Sequence, residues 1–347
     1  MAMTKDEIYE LAKKRWDSIA KPVDGLGELE GIICRIASIQ GRIIPEISKK
    51  ALIIMCADND VVSEGVSQTG KSVTREVATL MGKRLSSVGV MSAGYPLDIF
   101  TYDVGIEGDT PEGVINKKIC RGTADFLKEP AMSAVQCREA IDTGIDAVRR
   151  CCEKGYGLIA TGEMGIGNTT TATALLCALT GAEPRDITGR GAGLTNEGLE
   201  RKIQVIEEGL DLYANRQAGS AIDAFEMLRC LGGLDIAALA GVFIGGSVCS
   251  VPIVIDGLIS AAAALAAEKM RPGCRDNMIA SHNGREKGMK TALKKLSLRP
   301  VIHADMALGE GTGAVMLFPL IDMAFSLYSG GTAFEGTPIE KYERHET

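Results

Sequence analysis

A carboxylate set in a glycine turn is where this chain most plainly offers chemistry. Glu163 falls within Gly162-Glu163-Met164-Gly165-Ile166-Gly167-Asn168-Thr169-Thr170-Thr171. The apolar residues Leu158 to Ala160 ahead of it read as a strand, and Thr170 to Leu179 after it as a helix rich in Ala and Leu. Glycines at such a junction let backbone N–H groups approach an anion, and the helix N-terminus adds partial positive charge. That is a phosphate cradle with an acid beside it. An ordinary strand-to-helix turn is the plainer alternative, because glycine-rich turns are common in α/β proteins. Glu163 argues against it, since a loop that only holds phosphate has no use for an anion.

A second segment, Gly65-Val66-Ser67-Gln68-Thr69-Gly70-Lys71-Ser72, fits the phosphate-loop pattern of nucleotide triphosphatases, with a helical stretch from Val73 behind it. In that motif the glycine loop leaves its strand directly. Here Asp58 to Glu64 intervene after the strand Ala51 to Ala57, so the match is weak, although Val251 to Asp256 resembles a metal-binding strand end.

The elements that must position these residues alternate. Residues 4–45 carry helical periodicity, with the loop Lys21 to Gly27 between two helices. From Ala51 onward short apolar runs (Ala51 to Ala57, Leu97 to Tyr102, Gly157 to Ala160, Val251 to Ile255 and Met278 to Ser281) end in small or acidic residues and are mostly separated by helical stretches. This alternation predicts a parallel sheet with crossover helices. Ligands bind beyond the carboxyl ends of such strands, so Asp58, Asp103, Glu163, Asp256 and His282 are expected to converge on one cleft. The stretch Ile236 to Ile255 carries no charge and meets the length of a membrane span. Its Gly241, Gly245, Gly246 and Pro252 make it read instead as helix, turn and buried strand, with no membrane span. The tail after Gly330 reads as loosely ordered.

Composition narrows the function. At 347 residues, one large α/β domain with a smaller helical one is expected. A net charge of −7 without a long basic cluster argues against a nucleic-acid surface and for small substrates. The 10 cysteines are scattered, form no C-x-x-C pair and follow no recognisable leader, so reduced, mostly buried thiols in a cytoplasmic protein are expected. The vicinal pair Cys151-Cys152 reads as packing rather than redox chemistry.

The chain resembles the nicotinate-nucleotide:dimethylbenzimidazole phosphoribosyltransferases over roughly residues 15–325. The resemblance is carried by Lys21-Pro22 with Leu26-Gly27-Glu28-Leu29-Glu30, Met55-Cys56-Ala57-Asp58, Glu64-Gly65-Val66, Asp103-Val104-Gly105-Ile106, and Gly162-Glu163-Met164-Gly165 with Asn168-Thr169-Thr170. It continues through Gly232-Gly233-Leu234-Asp235, Asp256-Gly257-Leu258, Ser281-His282 with Glu286-Lys287-Gly288, and Leu308-Gly309-Glu310-Gly311-Thr312-Gly313. It implies a parallel Rossmann-like sheet flanked by helices, with a smaller helical domain built from both ends of the chain: residues 1–48 and 313–347, around a catalytic domain of 49–312.

The resemblance further implies transfer of a 5-phosphoribosyl group from nicotinate mononucleotide to a benzimidazole-type or phenolic base, without metal or cofactor and in a homodimer. Glu310 would be the general base and Glu163 a second carboxylate near ribose and base, their roles not separable from sequence. Gly165, Gly167, Asn168, Thr169, Arg190, Gly191 and Lys202 would hold the phosphate. Asp103, Asp235, Asp256 and Ser281 would contact the nucleotide, and Thr69, Val77, Met164 and Leu308 would line the base pocket. His282 and His303 are expected to serve as structural hydrogen-bonding residues.

The chain departs from the family pattern at several positions. Asn59-Asp60 stands in place of the usual His-Gly, Glu28 and Ala307 stand where Arg is frequent, and Thr69 and Val77 replace a serine and a glutamine. An apolar wall at Val77 would favour apolar-edged acceptors over adenine. With 4% aromatic residues, aliphatic groups rather than rings are expected to sandwich the base. Two readings of other classes stay open on the residues: an ATP-binding phosphate-loop protein, and a non-catalytic homologue that sets acceptor choice as a subunit.

Overall fold

The computed structural model describes residues 3–216 and 223–344. Six strands form one all-parallel sheet: β1 (Lys50–Ala57), β2 (Leu97–Gly105), β3 (Ile115–Asn116), β4 (Leu158–Met164), β5 (Ile253–Ile255) and β6 (Met278–Ala280). Their order is β3-β2-β1-β4-β5-β6. Five of the six lie where the apolar runs place them. The two residues of β3 carry no run of their own and are fixed only by pairing with Tyr102 and Asp103.

The first three helices precede or follow β1: α1 (Lys5–Trp16), α2 (Glu28–Gln40) and α3 (Ser72–Gly82), with the short α4 (Ser87–Met91) after them. Next come α5 (Ala134–Glu153), α6 (Asn168–Thr180), α7 (Pro184–Ile187), α8 (Asn196–Arg216), α9 (Ala224–Leu231) and α10 (Leu234–Cys249). The last are α11 (Leu258–Met270), α12 (Lys287–Leu296) and α13 (Thr312–Gly330). Local chemistry sets several boundaries. Thr4 with Glu7 and Ser133 with Gln136 form capping boxes that start α1 and α5, and Gly41 ends α2 at φ +68°.

Strand alternation sorts the core. Ala51, Ile53, Met55 and Ala57 point to one face of the sheet, where α5, α6, α10, α11 and α12 pack. Leu52, Ile54 and Cys56 point to the other, with Leu158, Ala160, Val254 and Ile279. There α1, α2 and α13 join in one cluster around Trp16, Ile33, Ile36, Phe318 and Tyr328. The two ends of the chain thus meet, and their shared core continues into the sheet.

The uncharged stretch from Ile236 is α10 followed by β5, as its glycines and proline suggest. Those glycines serve close packing: a Cβ at Gly241 would stand 2.0 Å from the Ile141 carbonyl, and one at Gly144 1.9 Å from that of Ala238. Whereas α10 is apolar but shorter, one helix among the described residues, α13, is long and apolar enough to cross a membrane. Its inward residues Leu317, Phe318, Ile321 and Tyr328 are buried against the sheet, the pattern of a core helix.

The tail departs from expectation. Beyond Gly330 it is tied down by the Ile19–Ala333 bridge, by the Phe334 N–H donating to the Ser18 carbonyl at 3.0 Å, and by Arg344 bonding Asp17 at 2.8 Å and Asp24 at 2.6 Å. These contacts pair the tail with the loop after α1, a long-range match that local composition does not encode.

Candidate active site

The chain order reverses between β1 and β4, so the carboxyl ends of these strands diverge into a crevice. A cavity of about 240 Å³ opens there. Its floor is the turn from Glu163 to Thr169, and its walls come from Val66 to Gln68, Arg190 to Ala192, Asp256 to Ser260, His282, Glu286 and Met306 to Gly309.

The turn after β4 is built on glycines for steric reasons. A Cβ at Gly165 would meet the Ala57 carbonyl at 2.5 Å, and Gly167, at φ +92°, caps the N-terminus of α6. Asn168 then donates from Nδ2 to Glu163 Oε2 at 2.5 Å and to Asp235 Oδ2 at 3.0 Å. Burial raises the Glu163 pKa to about 7 despite the Asn168 bond, and Asp235 and Asp256 push it in the same direction. Burial likewise lifts Asp235 to about 6, against hydrogen bonds from Asn168, the Ile236 amide and Asn59. Burial thus raises both carboxylates, which the Asn168 amide bridges, toward neutral pH.

Next to this turn lies a cation. The Lys202 ammonium, on α8, is 1% exposed and donates to Thr169 Oγ1 at 2.8 Å. Gly191 leaves it room, since a Cβ there would be 2.9 Å from Thr169 Oγ1 and 3.5 Å from Lys202 Nζ. Burial lowers the Lys202 pKa to about 8, partly offset by the Glu286 carboxylate. A buried ammonium beside the amides of a helix N-terminus is suited to an anion such as phosphate.

Over the opposite rim passes the segment Leu308 to Gly311. Gly162 permits the approach, because a Cβ there would lie 2.7 Å from the Glu310 carbonyl. Leu308 and Gly309 line the cavity, while Glu310 stands behind them with Oε2 accepting the Val88 N–H at the start of α4 at 3.1 Å. An anion subsite and a buried acid in one cavity, with a second carboxylate behind its far rim, suit group transfer between two substrates held face to face.

A family model described as a phosphoribosyltransferase matches residues 1–339. The nicotinate-nucleotide–dimethylbenzimidazole phosphoribosyltransferase of Acetivibrio thermocellus is 42% identical, covering 97% of this chain and 95% of that protein. The enzyme of the same name from Ruminiclostridium cellulolyticum is 43% identical over the same shares. The chain belongs to this phosphoribosyltransferase family. A crystal structure of CobT from Thermus thermophilus superposes with a TM-score of 0.89 at 37% identity, covering 95% of this chain and 98% of that one.

Against the family pattern, the fold brings together Glu163, Met164, Gly165, Gly167, Asn168, Thr169, Arg190, Gly191, Asp256 and Leu308 around one cavity, with Lys202 behind Thr169. The Arg190 guanidinium is turned onto its own loop, donating to the Leu194 carbonyl at 2.9 Å and to Asn196 Oδ1 at 2.6 Å.

Other expected residues lie elsewhere. Asp58 and Asp103 are not among the cavity-lining residues, because their carboxylates are engaged by local partners around β2. Asp58 accepts from the Glu107 amide at 2.7 Å. Asp103 is fully buried on the Ile106 amide (2.8 Å), Thr110 (2.5 Å) and Lys118 (3.0 Å). Asp235 is buried behind Asn168, and Ser281 Oγ donates to the Ile255 carbonyl at 2.6 Å, so neither lines the cavity.

Of the four residues expected around the base, Met164 and Leu308 line the cavity and the other two stand apart from it. Thr69 is exposed on the loop before α3, and Val77 shares the inward stripe of α3 with Thr74, Ala78 and Met81, outside the cavity lining. The phosphate-loop lysine, Lys71, pairs with Asp60 at 2.5 Å and Glu107 at 3.3 Å, and the short helix Asp60–Glu64 separates its loop from β1. That part of the chain contributes Val66, Ser67 and Gln68 as a wall instead. Glu286, whose carboxylate packs against Gly189, is a wall residue that sequence reasoning gives no role, although its place just after β6 and at the start of α12 marks it.

Proposed function

We propose that the chain transfers the 5-phosphoribosyl group of nicotinate mononucleotide to a ring nitrogen of a lower-ligand base such as 5,6-dimethylbenzimidazole, or to a related base or phenol. The products are the α-riboside phosphate and nicotinate. The observation that carries this reading is full-length identity of 42% to an enzyme of that name, joined to a cavity with an anion subsite beside the buried Glu163 and the Glu310 segment passing behind its Leu308–Gly309 rim.

In this reading Lys202, Thr169 and the amides after Gly165 hold the 5′-phosphate. The nicotinate ring leaves as a neutral pyridine nitrogen once the C1′–N bond breaks, so its departure needs no acid. The incoming imidazole nitrogen bonds to C1′ from the opposite face, inverting it from β to α, and its second nitrogen must lose a proton. Glu310 accepts that proton, its Oε2 steadied by the Val88 amide. Glu163, buried and bridged by Asn168 to Asp235, orients ribose and base. Met164 and Leu308 supply an apolar surface for the base. A homodimer fits the exposed apolar side chains of Val90, Met91, Met316 and Met323 on α4 and α13.

Release of nicotinate from nicotinate mononucleotide, followed with and without each of a panel of bases, tests the proposal. Base-dependent release with one nicotinate per riboside formed is expected. Release that ignores the base, or none with any acceptor, would overturn it.

A further inference from the structure

Glu310 occupies the middle of three successive residues with left-handed backbone: Gly309 at φ +88°, Glu310 at +61° and Gly311 at +87°. Glycine adopts that conformation freely, whereas a glutamate there is strained and persists only where its surroundings fix it. Two carboxylates do the fixing. On one side the Glu310 amide faces Glu163. On the other, Asp256 Oδ2 accepts the Gly311 N–H at 3.1 Å and Oδ1 accepts the Ala314 N–H at 3.0 Å, with the Gly313 amide directed at the same group.

Asp256 is itself held. It follows β5, its own N–H donates to Ser260 Oγ at 3.2 Å, and it is 2% exposed. Both of its oxygens are engaged by the first turn of α13, whose opening amides have no partner within their own helix. Thr312 Oγ1 closes the loop by donating to the Gly309 carbonyl at 2.9 Å. The backbone that follows Glu310 is therefore anchored to the end of β5 through the Asp256 side chain, while the Glu310 amide itself faces Glu163.

We propose that Asp256 is a positioning residue for Glu310: by holding the Gly311, Gly313 and Ala314 amides it sets where the general base stands, and its carboxylate does not serve as a ligand to the nucleotide. The inference rests on the reading of Glu310 as that base. It differs from the family-based expectation that Asp256 contacts the nucleotide, which would show in binding rather than in turnover.

Steady-state kinetics of Asp256→Asn, Glu310→Gln and the double variant separate the possibilities. Asp256→Asn should lower kcat by about 10–100-fold while KM for nicotinate mononucleotide stays within about threefold, because a displacement of order 1 Å misaligns a catalytic group without removing a substrate contact. In the Glu310→Gln background the same change should lower kcat by less than about threefold further, since the group it positions is already disabled. A KM raised about tenfold with kcat kept, or an equal loss in both backgrounds, would overturn the positioning role. If Glu310→Gln alone left turnover intact, the general-base reading itself would fall. Should Asp256→Asn not fold, Asp256→Glu, which keeps the carboxylate and shifts it by one methylene, carries the same comparison.

Discussion

Lys202 shows how a single buried side chain can tie activity to pH. Burial brings its pKa down to about 8, so the ammonium that would meet the phosphate is present below that pH and lost above it. The kcat/KM for nicotinate mononucleotide should therefore fall as pH rises through about 8, and Lys202→Ala should raise the nucleotide KM by roughly 10–100-fold and flatten that limb. A pH profile of both proteins checks this. An alkaline limb that survives in Lys202→Ala would assign it to another group.

Glu310→Gln should retain nucleotide binding and lose about 10²–10⁴ in kcat, the range for a positioned general base. Turnover within about threefold of wild type would remove Glu310 from that role. At this scale the sequence was legible where a residue type stood in an unusual setting, as with Glu163 among glycines or Glu310 between Gly309 and Gly311. It was not legible where an acid faces inward. Asp103 and Asp235 look in sequence like ligand contacts, yet their oxygens are engaged by amides and by Lys118.

At the scale of elements, periodicity located both N-terminal helices and five strands, because each buries enough apolar surface to mark itself. It missed β3, where two residues pair at a sheet edge. It also does not decide the setting of Val77, which is half-buried on α3 against the core, since a single valine on an amphipathic helix does not reveal whether the helix presents it to core or cavity. Val77→Gln should accordingly destabilise the fold by about 1–2 kcal/mol, the cost of placing an amide in a half-buried apolar site, and leave the ratio of kcat/KM between acceptors unchanged. Thermal melts together with rates for 5,6-dimethylbenzimidazole and adenine decide it. A changed acceptor ratio would put Val77 back in the base pocket.

The glycines of α10 and α5 make a second prediction about elements. Gly144→Ala sets a methyl against the Ala238 carbonyl and forces the two helices apart, so it should cost about 1–3 kcal/mol or more and leave nucleotide affinity of the folded fraction intact. Denaturant unfolding reads the loss. A variant as stable as wild type would show that the α5–α10 contact has room for a methyl group at Gly144.

For the molecule as a whole, the strand order explains why the expected convergence was half right. Sequence alternation shows that strands end in acids, but only the order β3-β2-β1-β4-β5-β6 decides which ends face the crevice. Glu163, Asp256 and His282 line the crevice, Asp103 lies in β2 one strand away from it, and Asp58, although it follows β1, is turned onto the Glu107 amide. The central claim is that one cavity holds the phosphoribosyl group between leaving and attacking rings on opposite faces of C1′. The configuration at C1′ of the riboside phosphate made from nicotinate mononucleotide and 5,6-dimethylbenzimidazole, read by NMR, tests it most directly. The α-anomer with one nicotinate released is the predicted result, and a β-anomer, or free ribose phosphate in place of riboside, would contradict it.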